Sequence, residues 1–224
     1  MHHNLNNLNN LINIKKQIQL ILSEQSKQIC LPNIIAVSKT KPINEIMPLI
    51  EYGHIHYGEN KVQEALEKWP IIKKDFQNIK LHFLGNLQTN KVKFVVPHFD
   101  YIHSLDSLKL AKKISVEQKK YNKDLKIFIQ VNIGNESQKN GVQISYLKDF
   151  YNECVSSFNL NIVGLMCLPP NIIDPQKYFL SMVKLSKSLS LKELSMGMSN
   201  DYLSAILCGA TFVRIGSKIF GKRH

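Results

Sequence analysis

Lys39, in the segment Ala36-Val37-Ser38-Lys39-Thr40-Lys41-Pro42, stands directly after a short apolar run. An amine held among apolar strand ends has its charged form disfavoured, and the free amine condenses with an aldehyde. The competing reading is a surface lysine whose stem lies along apolar neighbours while its head stays in water. Two further segments suit an anion: Gly197-Met198-Ser199-Asn200 and Gly216-Ser217. Their glycines permit close backbone approach, while Ser199, Asn200 and Ser217 offer N–H and hydroxyl donors at expected helix starts. Either segment alone serves equally well as an ordinary turn. Arg214 is the third part. Of 29 basic residues only Arg214 and Arg223 are arginine. An arginine inside an apolar run suits a task that needs a planar, permanently charged donor, or else pairing with a buried carboxylate.

These residues need a frame that brings them together. Apolar runs at 34–38, 54–57, 81–84, 101–104, 127–131, 162–166, 193–196 and 212–214 read as strands, several buried on both faces. Helical segments at 43–51, 61–69, 91–96, 107–121, 145–158, 176–189 and 201–207 alternate with them. A further amphipathic helix over 5–29 opens the chain. Eight strands alternating with helices in this length fit a closed (β/α)8 TIM barrel better than an open sheet, although the count alone allows both. One domain spanning 1–224 is expected, with 1–30 as a helical segment packed on the barrel. Active sites of such barrels lie at the C-terminal strand ends, with phosphate often held by the loops after strands seven and eight. Lys39, Asn60, Met166, Ser199, Asn200, Arg214, Gly216 and Ser217 all fall at or just beyond strand ends in this frame.

The formal charge of +12 invites a nucleic-acid or acidic-protein reading. The basic residues are scattered and almost all lysine, so a solvated surface is expected and nucleic acid is not. Cys30, Cys154, Cys167 and Cys208 show no C-x-x-C pair or zinc spacing, so reduced thiols and no metal are expected. Neither a signal peptide nor a membrane span is evident, which predicts a cytoplasmic protein without membrane contact. Tyr57, Tyr101 and His82 are acid–base candidates by strand position alone, with packing as the commoner role. His54, His56, Cys154 and Trp69 carry no expectation beyond packing.

Amine, anion cup and planar cation together describe a pocket for pyridoxal 5'-phosphate. The segments Ala36-Val37-Ser38-Lys39-Thr40, Tyr57-Gly58-Glu59-Asn60, His82-Phe83-Leu84-Gly85-Asn86-Leu87-Gln88, Gly164-Leu165-Met166, Ser195-Met196-Gly197-Met198-Ser199 and Val213-Arg214-Ile215-Gly216 resemble the pyridoxal phosphate homeostasis protein family. The resemblance runs from about 33 to 223. It implies a barrel like the N-terminal domain of alanine racemase, with the cofactor covalently on Lys39 at the Schiff-base position. It further implies Arg214 as partner of the pyridine nitrogen, and Ser199, Gly216 and Ser217 as phosphate contacts. Asn60 and Met166 would line the ring, and Asn200 stands where the family commonly has Asp or another small polar residue. A ring facing arginine favours an unprotonated nitrogen, which weakens carbanion chemistry. No second domain carrying a catalytic tyrosine is expected after the barrel. The expected role is therefore cofactor binding, buffering or delivery by a monomer, with apoenzymes as recipients, rather than catalysis. A slow amino-acid racemase is the alternative.

Overall fold

The computed structural model describes residues 2–25, 31–136, 138–170 and 174–221. Its elements run α1 (His2–Ser23), β1 (Asn33–Val37), α2 (Ile43–Glu51), β2 (His56–Glu59), α3 (Val62–Asp75), β3 (Lys80–Phe83), α4 (Val92–Val95), β4 (Tyr101–Leu105) and α5 (Leu108–Tyr121). They continue through β5 (Lys126–Val131), α6 (Leu147–Ser156), β6 (Ile162–Cys167), α7 (Gln176–Ser188), β7 (Glu193–Met198), α8 (Tyr202–Leu207), β8 (Phe212–Ile215) and α9 (Ser217–Phe220). Among the described residues, eight parallel strands in sequential order close a barrel. The closure joins β1 to β8, with Ile35 opposite Arg214 and Ala36 opposite Ile215. That register places the residue after β1 and the last residues of β8 at one mouth.

Several boundaries differ from the sequence expectation for identifiable reasons. β2 begins at His56 rather than 54, because the His54 N–H donates to the Leu49 carbonyl and closes the turn after α2. α3 continues through Pro70 to Asp75 although proline removes a helical hydrogen bond. Trp69 is buried before the proline and Ile72 packs on the core after it, so tertiary burial on both sides carries the helix across. The expected helix over 145–158 is shorter at both ends: a 3-10 turn, Ile144–Tyr146, precedes α6, and Asn159 turns left-handed at φ 53°. α9 was not expected, because four residues are too few for a helical period to register. α1 ends at Ser23, and Cys30 lies outside the described residues.

Barrel interiors are usually filled by branched aliphatic side chains. Here the lower interior is aromatic and polar. Phe212 sits among the rings of His56, His82, Tyr101, His103 and Phe128, at centroid distances of 5.8, 5.7, 5.7, 6.2 and 5.6 Å. His82 stacks on Tyr101 and His103 stacks on Phe128. Outside the barrel, α1 is tied to the other helices by polar links: Asn7 Nδ2 donates to the Glu45 carbonyl and Asn10 Nδ2 to the Ile219 carbonyl. Among the described residues no helix is long and apolar enough to cross a membrane.

Candidate functional site

Lys39 lies in the turn that leaves β1, followed by Thr40 at a left-handed φ of 65°. A β-branched residue adopts that conformation only when its surroundings enforce it. The enforcement comes from α3. The Thr40 N–H donates to the Glu64 carboxylate, while Lys68 Nζ donates to the Ser38 carbonyl at 3.0 Å and the Lys41 carbonyl at 3.3 Å. The backbone on both sides of Lys39 is thereby fastened to one ammonium.

Lys68 in turn rests on Glu59, 2.7 Å away, whose side chain has no solvent exposure. Ser38 Oγ, at 2.7 Å, and Trp69 Nε1, at 3.0 Å, both donate to Glu59 Oε1. Burial pushes the Glu59 carboxyl up, against the opposing pull of Lys68 and the two neutral donors. The neighbouring Asn60 is set by a close backbone contact: a Cβ on Gly85 would stand 2.1 Å from the Asn60 carbonyl oxygen. Only glycine fits there.

A cavity of about 660 Å³ opens at this mouth, within the usual range for small-ligand sites. Its lining brings together Lys39, Asn60, Ser199, Asn200, Arg214, Gly216 and Ser217. Met166 is not brought there. It is buried inside the barrel with Ile35, Tyr101, Phe128 and Phe212, because strand alternation turns it inward one position before the mouth. Tyr57, Tyr101 and His82 are likewise absent from the cavity lining. Tyr57 is fully buried, and burial raises its hydroxyl's pKa far above the ordinary value.

Arg214 is 6% exposed. Its Nη1 donates to Ser195 Oγ at 2.7 Å and its Nη2 to the Cys167 carbonyl at 2.8 Å. Both partners are neutral, so the expected alternative of a paired carboxylate does not describe these contacts. Burial lowers the pKa of the guanidinium, partly offset by Cys167 and Asp201. Ser199 Oγ accepts from the Lys218 N–H at 3.4 Å, joining the β7 and β8 loops. Asn200 is exposed at the rim.

Two features of the lining look toward a ligand rather than toward the protein. Asn60 Oδ1 is buried without a hydrogen-bond partner in the structure. A Cβ added at Gly216 would meet nothing nearer than Val37 at 3.5 Å, and Gly216 has φ −112°. Protein packing therefore does not demand glycine at 216. Lys68, Glu59, Ser195, His103 and His56 were not picked out as positioning groups by sequence. The available signal was a charged or imidazole side chain inside a run that otherwise reads as buried. Among the described residues, no group of three or more His, Cys, Asp or Glu side chains is arranged to hold a metal ion.

Fold and cavity together define a barrel of the alanine racemase N-terminal type. A family model described as alanine racemase, N-terminal domain, matches residues 9–224. The chain belongs to the pyridoxal phosphate homeostasis protein family. The protein of that name from Pasteurella multocida (strain Pm70) is 35% identical over 96% of both chains. The one from Aquifex aeolicus (strain VF5) is 39% identical over 85% of this chain and 86% of its own. PipY of Synechococcus elongatus PCC7942, solved with PLP bound, superposes with a TM-score of 0.78 at 31% identity, covering 93% of this chain and all of PipY. Alanine racemase of Clostridium difficile 630 shares the fold, with a TM-score of 0.72 at 13% identity, over 57% of its own length.

Proposed function

We propose that this protein binds pyridoxal 5'-phosphate at the C-terminal mouth of the barrel, covalently through Lys39, and serves intracellular homeostasis of the cofactor without turnover of its own. The observation that carries this reading is a single cavity lined by a primary amine, a buried guanidinium, two serine hydroxyls and an uncrowded glycine. The residues fit the group: Asn60 Oδ1 is buried with an unused acceptor, and Gly216 leaves room beside the backbone for a phosphate. Lys39 would hold the aldehyde carbon. Ser199, Ser217 and the backbone at Gly216 would receive the phosphate, with Asn60 beside the ring and Asn200 at the rim. Bound pyridoxal phosphate supplies an electrophilic aldehyde on an electron-withdrawing ring. Arg214 would face the ring nitrogen as a donor that keeps its proton at neutral pH. None of the three acid–base candidates lines the cavity, which favours holding over turnover. The free thiols of Cys154, Cys167 and Cys208 suit a reducing cytosol, where apoenzymes would be the recipients.

Addition of pyridoxal phosphate to the purified protein is expected to give a visible absorption band, absent in Lys39→Ala. Borohydride reduction and peptide mapping should then place the label on Lys39; a label elsewhere, or none, sinks the reading. D-Amino-acid formation that disappears in Lys39→Ala would overturn the non-catalytic part.

Gly216→Ala offers a second test of the same cavity. Its folding stability should stay within about 0.5 kcal/mol of wild type. Its retention of the cofactor should fall about tenfold or more, since the new methyl occupies space that only a ligand uses. Equal retention, measured by equilibrium dialysis, would move the phosphate away from this loop.

A further inference from the structure

The cavity floor continues into an unbroken line of polar side chains. Arg214 Nη1 meets Ser195 Oγ at 2.7 Å, Ser195 Oγ meets His103 Nδ1 at 2.9 Å, His103 Nε2 meets His82 Nδ1 at 2.9 Å, and His82 Nε2 meets His56 Nδ1 at 2.9 Å. His82, His103 and Ser195 have no solvent exposure. His56 opens β2, so the line descends from the cavity to the opposite end of the barrel. It links five strands whose residues are up to 92 positions apart in one step.

We infer that His103 and His82 are positioning residues, which with Ser195 form a hydrogen-bond relay of fixed direction that holds Arg214 in place without a carboxylate. The direction follows from the donor inventory. Arginine only donates, so Ser195 Oγ accepts from it. The single serine proton then goes to His103 Nδ1, which makes His103 a donor through Nε2 to His82, and His82 a donor through Nε2 to His56. The reverse order would give Ser195 two donors and leave its own proton unmatched.

The relay requires neutral rings. An imidazolium carries a proton on both nitrogens and would set two donors against each other across a 2.9 Å contact. The surroundings agree. Burial chiefly, then His103, His56, His54 and Lys73, hold the pKa of His82 well below the ordinary value. Burial, Arg214 and His56 do the same for His103, and burial first, then Lys80 and Lys126, against Asp100, do so for His56. In this order each lone pair points toward Arg214 and each N–H away. The aligned dipoles stabilise the buried guanidinium as a carboxylate would, but leave its charge unneutralised. The consequence for pyridoxal phosphate rests on the reading above: the ring nitrogen would face a donor of fixed orientation and full charge.

The relay is tested first on cofactor-free protein, by ¹⁵N NMR of the imidazoles. His82 and His103 should each show one neutral tautomer protonated on Nε2, unchanged between pH 8 and pH 6. Protonation on Nδ1, or a mixture, overturns the direction and the relay with it. Cofactor-loaded His103→Phe and Ser195→Ala should each shift the visible band and lower affinity by about tenfold, the size expected for loss of a hydrogen bond to a charged group. Because His103 acts through Ser195, the double variant should match Ser195→Ala; additive effects would overturn the coupling. Should His103→Phe fail to fold, His103→Asn retains an acceptor near the Nδ1 position and is expected to keep the wild-type band; a shift as large as that of Ser195→Ala would count against the relay. A wild-type protein that gains no band at all defeats the cofactor reading alone, while the tautomers still decide the relay.

Discussion

Acidification from pH 7 to pH 5 is expected to remove a large part of this protein's folding stability. His54, His56, His82 and His103 are held below the ordinary histidine value in the fold, the first to about 3 and the second to about 4, with the other two lower than that ordinary value by a wide margin. Desolvation is the largest cause for each. In the unfolded chain each ring titrates near 6.5. Below that pH the unfolded state binds more protons than the folded state, so stability falls as pH falls. The contribution is fully present above 6.5, erodes through the window beneath it, and levels off for His56 near 4 and for His54 near 3. Each ring contributes about 1.4 kcal/mol per pH unit in that window. The three relay rings alone approach roughly 4 kcal/mol per unit, against a total stability of about 5–15 kcal/mol for a typical domain. Glu59 and Asp106, whose carboxyls burial raises, act in the opposite sense below their own raised values. Two groups do not balance four. Urea midpoints at pH 7, 6 and 5, followed by fluorescence of the single tryptophan, Trp69, measure the effect. An unchanged midpoint at pH 5 would mean that the rings are solvated or charged in the folded protein.

Lys68→Met is expected to cost about 3–5 kcal/mol, the usual consequence of removing one partner from a buried ion pair. Glu59 would keep its hydrogen bonds from Ser38 and Trp69 while losing its one cationic contact among the described residues, and its Oε2 already lacks a partner there. Stability is half of the expectation. Lys68 also holds the carbonyls of Ser38 and Lys41, so the variant should retain pyridoxal phosphate poorly although Lys39 is intact. The paired variant Glu59→Gln/Lys68→Met separates the two roles. Its amide still accepts from Ser38 and Trp69, so stability should return to within about 1–2 kcal/mol of wild type, while the Lys39 turn stays unfastened. Thermal midpoints and the visible band of both variants read the two effects. Full cofactor retention in the paired variant would show that Lys68 has no part in holding the turn.

The architecture was legible because each strand is a short apolar run bounded by a change of period, and eight such runs alternating with helices in a chain of this length fit a closed barrel better than an open sheet. Errors gathered where tertiary burial outweighs local preference, as at Pro70, or where an element is shorter than its own period, as in α9. Lys39, Arg214, Ser199 and Gly216 could be singled out because each sits at a strand end, and strand ends of a closed barrel share one mouth. Met166 shows the limit of that logic: one position along a strand decides between mouth and interior. The imidazole line was beyond reach for another reason. His56, His82, His103 and Ser195 lie on separate strands, and only the shear of the closed barrel brings their nitrogens and oxygens into one row.

The closure between β1 and β8 sets a timetable for biosynthesis. Lys39 leaves the ribosome well before Arg214 and Gly216, and Asn10 of the first helix waits for the Ile219 carbonyl. A nascent chain therefore displays the amine long before it owns the rest of the cup. Under the proposed function, cofactor capture would follow the synthesis of β8, and tight retention would report that the ring of strands has joined.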